Sequence, residues 1–285
     1  MTMRVTIHDV QAMKERGELI PMLTAYDYTS ARIVEAAGVP LVLVGDSLGV
    51  VVLGYDSTLP VTMDDMVHHI RPVVRGAPSA HIVADMPFMS FQSDVKEAMR
   101  NAGRLMQEGG AHSVKIEGGA RVAGTVKRMV ESGIPVMGHV GFTPQSAHQL
   151  GYRAQGKSAE TAAVVVEDAL ALQEAGGYAI VLELVPAEVA QIVTERLSIP
   201  TIGIGAGPHC GGQVLVLHDL LGLYTDRDYK HSRRFANLAD DGIAAVSRYV
   251  DEVRKGSFPN DRESLSMNGE KLEELKTRLA GSENG

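Results

Sequence analysis

The sequence predicts an α/β fold, a (β/α)8 TIM barrel with a C-terminal helical extension. Eight short apolar runs alternate with segments of helical periodicity. A repeated β-then-α unit of this kind indicates parallel strands joined by right-handed crossovers. The length of 285 residues suits one barrel of about 250 residues with an addition at one end. We therefore expect a single domain over residues 1–285, in which residues 232–285 form the helical extension.

The predicted strands are short and mostly aliphatic. In chain order they are "IPMLTAYD" (20–27), "PLVLVGD" (40–46), "HIVADMPF" (81–88), "SVKIEGG" (113–119), "IPVMGHVGF" (134–142), "YAIVLELVP" (178–186), "IPTIGIGAG" (199–207) and "QVLVLHD" (213–219). No G-x-G-x-x-G motif follows the first strand, which disfavours the competing doubly wound, nucleotide-binding sheet. The link "AGPHCGGQ" before the last strand is too short for a full helix, so we expect an irregular crossover there.

The segments between these strands carry signals for helix ends. "TSARIVEAAG" opens on a Ser/Thr cap and closes at Gly38, and a later helix can start on Ser158, although it lacks a full capping box. "AAGVP", "ESGIP" and "RLSIP" each end a helix directly before an apolar strand. The extension contains a helix near "ADDGIAAVSRYVDEVRKG" and an amphipathic one with Leu272, Leu275 and Leu279 on one side. This second helix could cover the barrel or a neighbouring subunit.

Composition excludes several classes of function. A formal net charge of −8 and a pI of about 5.7 leave no basic footprint for nucleic acid. The one cysteine, Cys210, excludes a disulfide framework and a cysteine-based metal site, and we expect it to be buried. The N-terminus lacks a signal-peptide pattern, and no window approaches the roughly 18 apolar residues of a membrane span. We expect a cytoplasmic protein with neither a membrane nor a nucleic-acid partner.

Polar and charged side chains occur where the predicted strands end. In a (β/α)8 barrel these ends form the active-site face. Side chains alternate along a strand, so Lys115 and Glu117 should face the barrel axis, while Val114 and Ile116 face the helices. The full set of candidate site residues comprises Asp46, Ser47, Asp85, Lys115, Glu117, His139 and Glu183.

Several carboxylates at one barrel mouth would destabilise the fold unless a cation binds among them. Asp46, Asp85 and Glu117 are hard oxygen donors, and this favours Mg²⁺ over Zn²⁺. Taken singly, each acid is more readily explained as a turn or helix-cap residue, and His139 is equally well explained as a hydrogen-bonded structural histidine. The glycine-rich "IGIGAG" (202–207) is a weaker signal, for a phosphate-binding turn.

Seven motifs along the chain occur together in one known family. They are "LVGDSLG", "ADMPF", "VKIEGG", "GHVGFTPQ", "LELVP", "IGIGAG" and "GQVLVLHDLLGL". In this order and spacing, from about residue 6 to about residue 257, the chain resembles the ketopantoate hydroxymethyltransferase family. Two positions depart from the family pattern: Phe142 replaces an expected Leu before "TPQ", and Gly211 stands where an Asp often precedes "GQVLV".

The resemblance implies a (β/α)8 barrel that transfers a one-carbon unit from 5,10-methylenetetrahydrofolate to 3-methyl-2-oxobutanoate. The product is 2-dehydropantoate, on the route to pantothenate and coenzyme A. The resemblance also implies Mg²⁺ as cofactor, with Asp46, Asp85 and Glu117 as its ligands, some of them through water. The two aspartates would also lie against the bound oxoacid.

By the same resemblance, Glu183 is the catalytic base, Ser47 and Lys115 contact the oxoacid, and His139 is an accessory residue. Whether Glu183 removes the C3 proton of the oxoacid or assists the folate nitrogen stays open. Members of the family form large rings, commonly decamers, so we expect a homodecamer. The nearest alternative is another Mg²⁺-dependent 2-oxoacid lyase or mutase of the phosphoenolpyruvate/pyruvate type, which would need no folate. A barrel that only binds ligands is a second alternative, and the intact acid set argues against it.

Overall fold

Eight parallel strands close a barrel within residues 4–227 and 229–282, the part of the chain that this computed structural model describes. The strands follow chain order, and β8 pairs with β1. They are β1 (Ile20–Thr24), β2 (Leu41–Val44), β3 (His81–Asp85), β4 (Ser113–Glu117), β5 (Val136–Gly141), β6 (Ala179–Glu183), β7 (Thr201–Ile204) and β8 (Gly212–Leu215). Each lies within its predicted run, except that β8 begins one residue early. The predicted (β/α)8 barrel is confirmed.

Helices surround the strands and connect them. They are α1 (Ile7–Glu15), α2 (Tyr28–Ala36), α3 (Leu48–Val51), α4 (Met63–Gly76), α5 (Val95–Gln107), α6 (Ala120–Glu131), α7 (Ala147–Leu150), α8 (Ala159–Glu174), α9 (Ala187–Arg196), α10 (Leu217–Leu220), α11 (Leu238–Arg254) and α12 (Gly269–Ser282). A 3-10 turn over Pro144–Ser146 precedes α7. Residues 205–211, between β7 and β8, contain no helix, which confirms the irregular crossover.

Local capping corrects two details of the helix predictions. The cap of α2 is Asp27, whose carboxylate accepts the backbone N–H of Ser30 at 2.7 Å, so the Ser/Thr cap was wrong. In α8, Ser158 and Thr161 do form a capping box, because the hydroxyl of a Thr can replace the usual Glu. The predicted eighth strand also ran too far, since Asp219 lies in α10.

Alternation along the strands separates two apolar cores. In β2, Leu41 and Leu43 pack inside the barrel, while Val42 and Val44 pack under the helices. The helix α1, which precedes the first strand, contributes Val10 to the barrel interior. A closed barrel with a filled interior leaves space for a site only where the strands end.

The chain divides into two compact units, one ending at Ala236 and one starting at Asn237. The second unit contains α11 and α12, which match the two helices predicted for the extension. Within this unit the rings of Tyr249 and Phe258 lie 5.5 Å apart. Among the described residues, no helix is long and apolar enough to cross a membrane.

Candidate active site

A buried ion pair joins the carboxyl ends of β3 and β4. Asp85 and Lys115 are direct neighbours in the strand register, and the ammonium nitrogen lies 2.8 Å from Asp85 Oδ1. Each side chain is only 5% exposed. Burial alone would lower the pKa of Lys115, but nearby carboxylates, Asp85 foremost, outweigh it and raise the pKa. Lys115 is therefore a permanent positive charge on the barrel axis.

Asp46, directly after β2, brings a second carboxylate to this pair. Its backbone N–H donates to Asp85 Oδ2 at 3.0 Å, which holds the ends of β2 and β3 together. A Cβ at Gly45 would lie 2.8 Å from Ser47 Oγ, so a larger residue here would displace that hydroxyl. Burial, followed by the charges of Asp85 and Glu117, raises the pKa of Asp46 well above its ordinary value. One lysine thus fails to offset the negative charge of the cluster.

His139 on β5 lies between the acids of its two neighbouring strands. Its Nδ1 is 3.6 Å from Glu117 Oε1, and its Nε2 is 3.2 Å from Glu183 Oε2. Lys115 Nζ approaches the same Nδ1 at 3.1 Å. Burial and the Lys115 ammonium lower the pKa of His139, but the neighbouring carboxylates of Glu117 and Glu183 outweigh them and raise the pKa to about 8. His139 therefore connects the side chains of Lys115 and Glu117 on β4 with the carboxylate of Glu183 on β6.

Tyr26 was missed by the sequence analysis, although it stands at the end of the first predicted strand. Its hydroxyl lies 2.8 Å from Ser47 Oγ. Burial raises the pKa of Tyr26, so the hydroxyl stays protonated. His69 on α4 is partly buried, and its Nδ1 lies 2.6 Å from the Tyr26 carbonyl oxygen. These contacts hold Tyr26 in place, and its hydroxyl in turn orients the hydroxyl of Ser47.

Leu184, also missed, sets the direction of Glu183. Its φ of 47° lies in the left-handed region, which costs a non-glycine residue about 1–3 kcal/mol. The Leu184 N–H donates to the Ile204 carbonyl at 2.9 Å, and the Phe142 N–H donates to the Glu183 carbonyl at 2.8 Å. The sharp turn is thus held by β5 and β7. Propensity carries no signal for it, because leucine rarely adopts this conformation.

All seven candidate site residues line one cavity of about 370 Å³ at the carboxyl end of the barrel. They are Asp46, Ser47, Asp85, Lys115, Glu117, His139 and Glu183. Phe142, one of the two departures from the family pattern, also lines it, with its ring centroid 5.7 Å from that of Tyr152. His231 is half-buried and lines the same cavity.

Asp46, Asp85 and Glu117, called the acid cluster below, fit a hard divalent cation by their chemistry. The raised pKa values of Asp46 and Asp85, caused by burial first, indicate carboxylates that lack sufficient positive charge nearby. Across residues 4–227 and 229–282, no three His, Cys, Asp or Glu side chains form a ready-made metal-binding group. Mg²⁺ prefers hard oxygen donors of the kind that the acid cluster presents, and it usually keeps several waters.

The strand ends of this closed (β/α)8 barrel bring buried acids, a lysine and a histidine to one cavity. This arrangement is typical of barrel enzymes, whose active sites lie at the carboxyl ends of the strands. Comparison with known proteins identifies the family to which the chain belongs. Residues 4–261 match the family model described as ketopantoate hydroxymethyltransferase. The chain belongs to the ketopantoate hydroxymethyltransferase family, which confirms the resemblance of its motifs.

Individual relatives agree with the family match. A 3-methyl-2-oxobutanoate hydroxymethyltransferase from Chloroflexus aurantiacus is 58% identical over 270 residues, covering 95% of this chain and 96% of the relative. One of the same name from Moorella thermoacetica is 57% identical over 263 residues, covering 92% of this chain and 98% of the relative. The match thus extends over nearly the whole length of both proteins.

Solved structures with the same architecture are much more distant in sequence. A phosphonopyruvate hydrolase, in complex with oxalate and Mg²⁺, has a TM-score of 0.59 at 13% identity and covers 97% of this chain and 96% of its own. A 2,3-dimethylmalate lyase of the PEP mutase/isocitrate lyase superfamily has a TM-score of 0.56 at 16% identity, with coverages of 99% and 100%. At these identities the similarity supports the barrel fold alone.

Proposed function

We propose that this chain transfers a one-carbon unit from 5,10-methylenetetrahydrofolate to 3-methyl-2-oxobutanoate and forms 2-dehydropantoate, on the route to pantothenate and coenzyme A. The family and the names of the relatives support this reaction. The observation that carries the chemistry is Glu183, held by His139 at the wall of the cavity that contains the acid cluster. In the overall reaction, water supplies the hydroxyl oxygen of the product and tetrahydrofolate leaves.

Mg²⁺ is the proposed cofactor, held by Asp46, Asp85 and Glu117 through direct bonds or bound waters. When bound, Mg²⁺ withdraws electron density from the 2-oxo group and makes the C3 proton of the substrate easier to remove. Burial raises the pKa values of Asp46 and Asp85, which supports this assignment. In Glu117 burial is outweighed by the contacts with His139 and Lys115, which lower the pKa. The remaining roles in the reaction are proposed for side chains of this protein.

Glu183 is the proposed base that removes the C3 proton. Its carboxylate lines the cavity, and the Nε2–H of His139 faces it at 3.2 Å. The turn at Leu184 keeps this carboxylate aimed at the cavity. Loss of the C3 proton leaves a carbon nucleophile, which forms a bond to the methylene carbon of the donor as the bond from that carbon to one folate nitrogen breaks. Water then replaces the second folate nitrogen on the same carbon, and the two nitrogens take up the C3 proton and one proton from water, so that tetrahydrofolate leaves.

Lys115 and Ser47 are the proposed contacts to the carboxylate of the oxoacid. Lys115 presents a buried positive charge, and Ser47 presents a hydroxyl that Tyr26 orients. Hydrogen bonds from the ammonium and from the hydroxyl, both charge-assisted because the substrate carboxylate is ionised, would hold the substrate in one pose. The aromatic rings of Phe142 and Tyr152, at the same cavity, suit the flat ring system of the folate.

The direct test is product formation from the two substrates with and without Mg²⁺. Glu183→Gln should lower turnover by about 10²–10⁴-fold, because the base is lost while size and shape are kept. Exchange of the C3 proton for deuterium should fall equally in this variant. Glu188→Gln, a change on α9 five residues further on, is the matched control and should leave both rates unchanged.

Two outcomes would contradict this proposal. Wild-type deuterium exchange in Glu183→Gln would remove Glu183 as the C3 base. Cleavage or rearrangement of an oxoacid without tetrahydrofolate would instead favour the lyase or mutase alternative. Assembly as a homodecamer and a cytoplasmic location are further proposals, supported by the resemblance to the family, and light scattering on the purified chain tests the first.

A further inference from the structure

We propose that Gln145 is a positioning residue that holds Asp46 and Glu117 in place for a divalent cation, an inference that rests on the proposed metal dependence. Gln145 is buried, with 5% of its surface exposed, on the 3-10 turn after β5. It reaches two members of the acid cluster, one through its side chain and one through its backbone. A single residue thus connects the carboxylate that follows β2 to the carboxylate that ends β4.

The side-chain amide of Gln145 is hydrogen-bonded at both ends. Its Nε2 donates to Asp46 Oδ2 at 2.8 Å and to the Met86 carbonyl oxygen at 2.9 Å. Its Oε1 accepts from Gln92 Nε2 at 3.0 Å. This pattern fixes the orientation of the amide, because a flipped amide would place its oxygen against a carboxylate and a carbonyl.

The backbone of Gln145 holds the other carboxylate. Its N–H donates to Glu117 Oε2 at 3.0 Å. The preceding Pro144 restricts the backbone, and the Ser146 N–H closes the turn onto the Thr143 carbonyl at 2.9 Å. The N–H that meets Glu117 is therefore directed by the turn itself and survives most substitutions at position 145.

Uncharged hydrogen-bond donors are suited to holding metal-binding carboxylates in place. A cation at this position would neutralise the carboxylates and compete with Mg²⁺, whereas an amide and a peptide N–H orient them and leave their charge available. Groups that orient metal ligands typically change metal affinity by about 10–100-fold when they are removed. The side chain of Gln145 acts on Asp46, so its removal should weaken metal binding while Glu117 keeps its backbone contact.

The test compares Mg²⁺ binding to the full-length wild-type protein and to Gln145→Met by isothermal titration calorimetry. Met keeps the unbranched shape and nearly the same volume but cannot donate. We expect the dissociation constant for Mg²⁺ to rise about 10–100-fold. The Mg²⁺ concentration for half-maximal activity should rise in parallel, while kcat at saturating Mg²⁺ falls much less.

Ser146→Ala is the matched control. Ser146 lies on the same turn, but its hydroxyl accepts from Arg121 at 3.0 Å, away from the acid cluster. This variant should bind Mg²⁺ as the wild type does. If Gln145→Met does not fold, Gln145→Asn, which keeps the amide but is one carbon too short, serves for the same measurement.

The outcomes separate this inference from the proposed function. Wild-type Mg²⁺ affinity in a folded Gln145 variant overturns the positioning role alone. A lower melting temperature without a change in Mg²⁺ affinity has the same meaning, since it indicates a merely structural role. Absence of Mg²⁺ binding in the wild type overturns the proposed metal dependence itself, and this inference with it.

Discussion

Lowering the pH from 7.5 to 4.5 should destabilise the fold by about 2.5 kcal/mol through a single buried histidine. His81 opens β3 at the end of the barrel opposite the acid cluster. Its Nε2 lies 2.9 Å from Ser113 Oγ, which in turn lies 2.9 Å from the Tyr178 hydroxyl. Burial lowers the pKa of His81 from 6.5 to about 4. Between about pH 4 and pH 6.5, His81 therefore stays neutral in the folded protein but is protonated in the unfolded chain.

The sign and size follow from proton linkage. Because the folded pKa of His81 lies below the unfolded value, the stability is present above pH 6.5 and is lost as the pH falls toward 4. A pKa that differs by one between the folded and unfolded chain corresponds to about 1.4 kcal/mol of stability. The difference between 6.5 and about 4 therefore allows a total loss of about 3.4 kcal/mol. At pH 4.5 about three quarters of this loss has occurred, which gives about 2.5 kcal/mol.

Urea unfolding at pH 7.5 and 4.5 measures the effect in the wild type and in His81→Gln. The variant should lose about 2.5 kcal/mol less than the wild type over this interval, because it has no imidazole to protonate. His68→Gln, at an exposed position on α4, is the control and should follow the wild type. Equal acid losses in all three proteins, or an NMR titration that places the pKa of His81 near 6.5, would refute the reasoning.

Two further predictions concern the buried charge and the close packing of the barrel. Lys115→Met should lower the free energy of unfolding by about 3–5 kcal/mol, because it leaves Asp85 buried without its partner. Lys276→Met, which removes an exposed pair, should change it by less than about 0.5 kcal/mol. Gly212→Ala should cost about 1–3 kcal/mol, since a Cβ would collide with the backbone of β1. Gly211→Ala, whose nearest neighbour would be 3.5 Å away, should be nearly neutral, and equal melting temperatures for the two glycine variants would contradict this argument.

The positions of the strands and the direction of their side chains could be predicted from sequence because both follow from simple periodicity. Lys115 and Glu117 are two residues apart on a strand, so they share a face, and the parallel order places Asp85 beside Lys115. The structure accordingly brings all the predicted site residues to one cavity. Their roles in binding metal and substrate stay predictions, since geometry places a carboxylate without stating what it binds.

Residues that act through loops could not be predicted in the same way. Gln145 meets Asp46, which is 99 residues earlier, through a turn whose path no local pattern specifies. Tyr26 likewise meets Ser47 from the loop of a neighbouring strand. Leu184 adopts a backbone conformation that its side chain disfavours, so propensity points away from the observed turn. In each case the contact depends on which loops become neighbours once the barrel has closed.

The proposed metal site would account for the neutral hydrogen-bond donors that contact the acid cluster. Lys115 pairs with Asp85, while Asp46 and Glu117 receive hydrogen bonds from an amide and a peptide N–H instead of salt bridges from a second lysine. A second lysine would offset more of the negative charge of the acid cluster. It would also neutralise the charge that a metal ion needs. The raised pKa of Asp46, which results chiefly from burial, agrees with the proposal that a cation binds here.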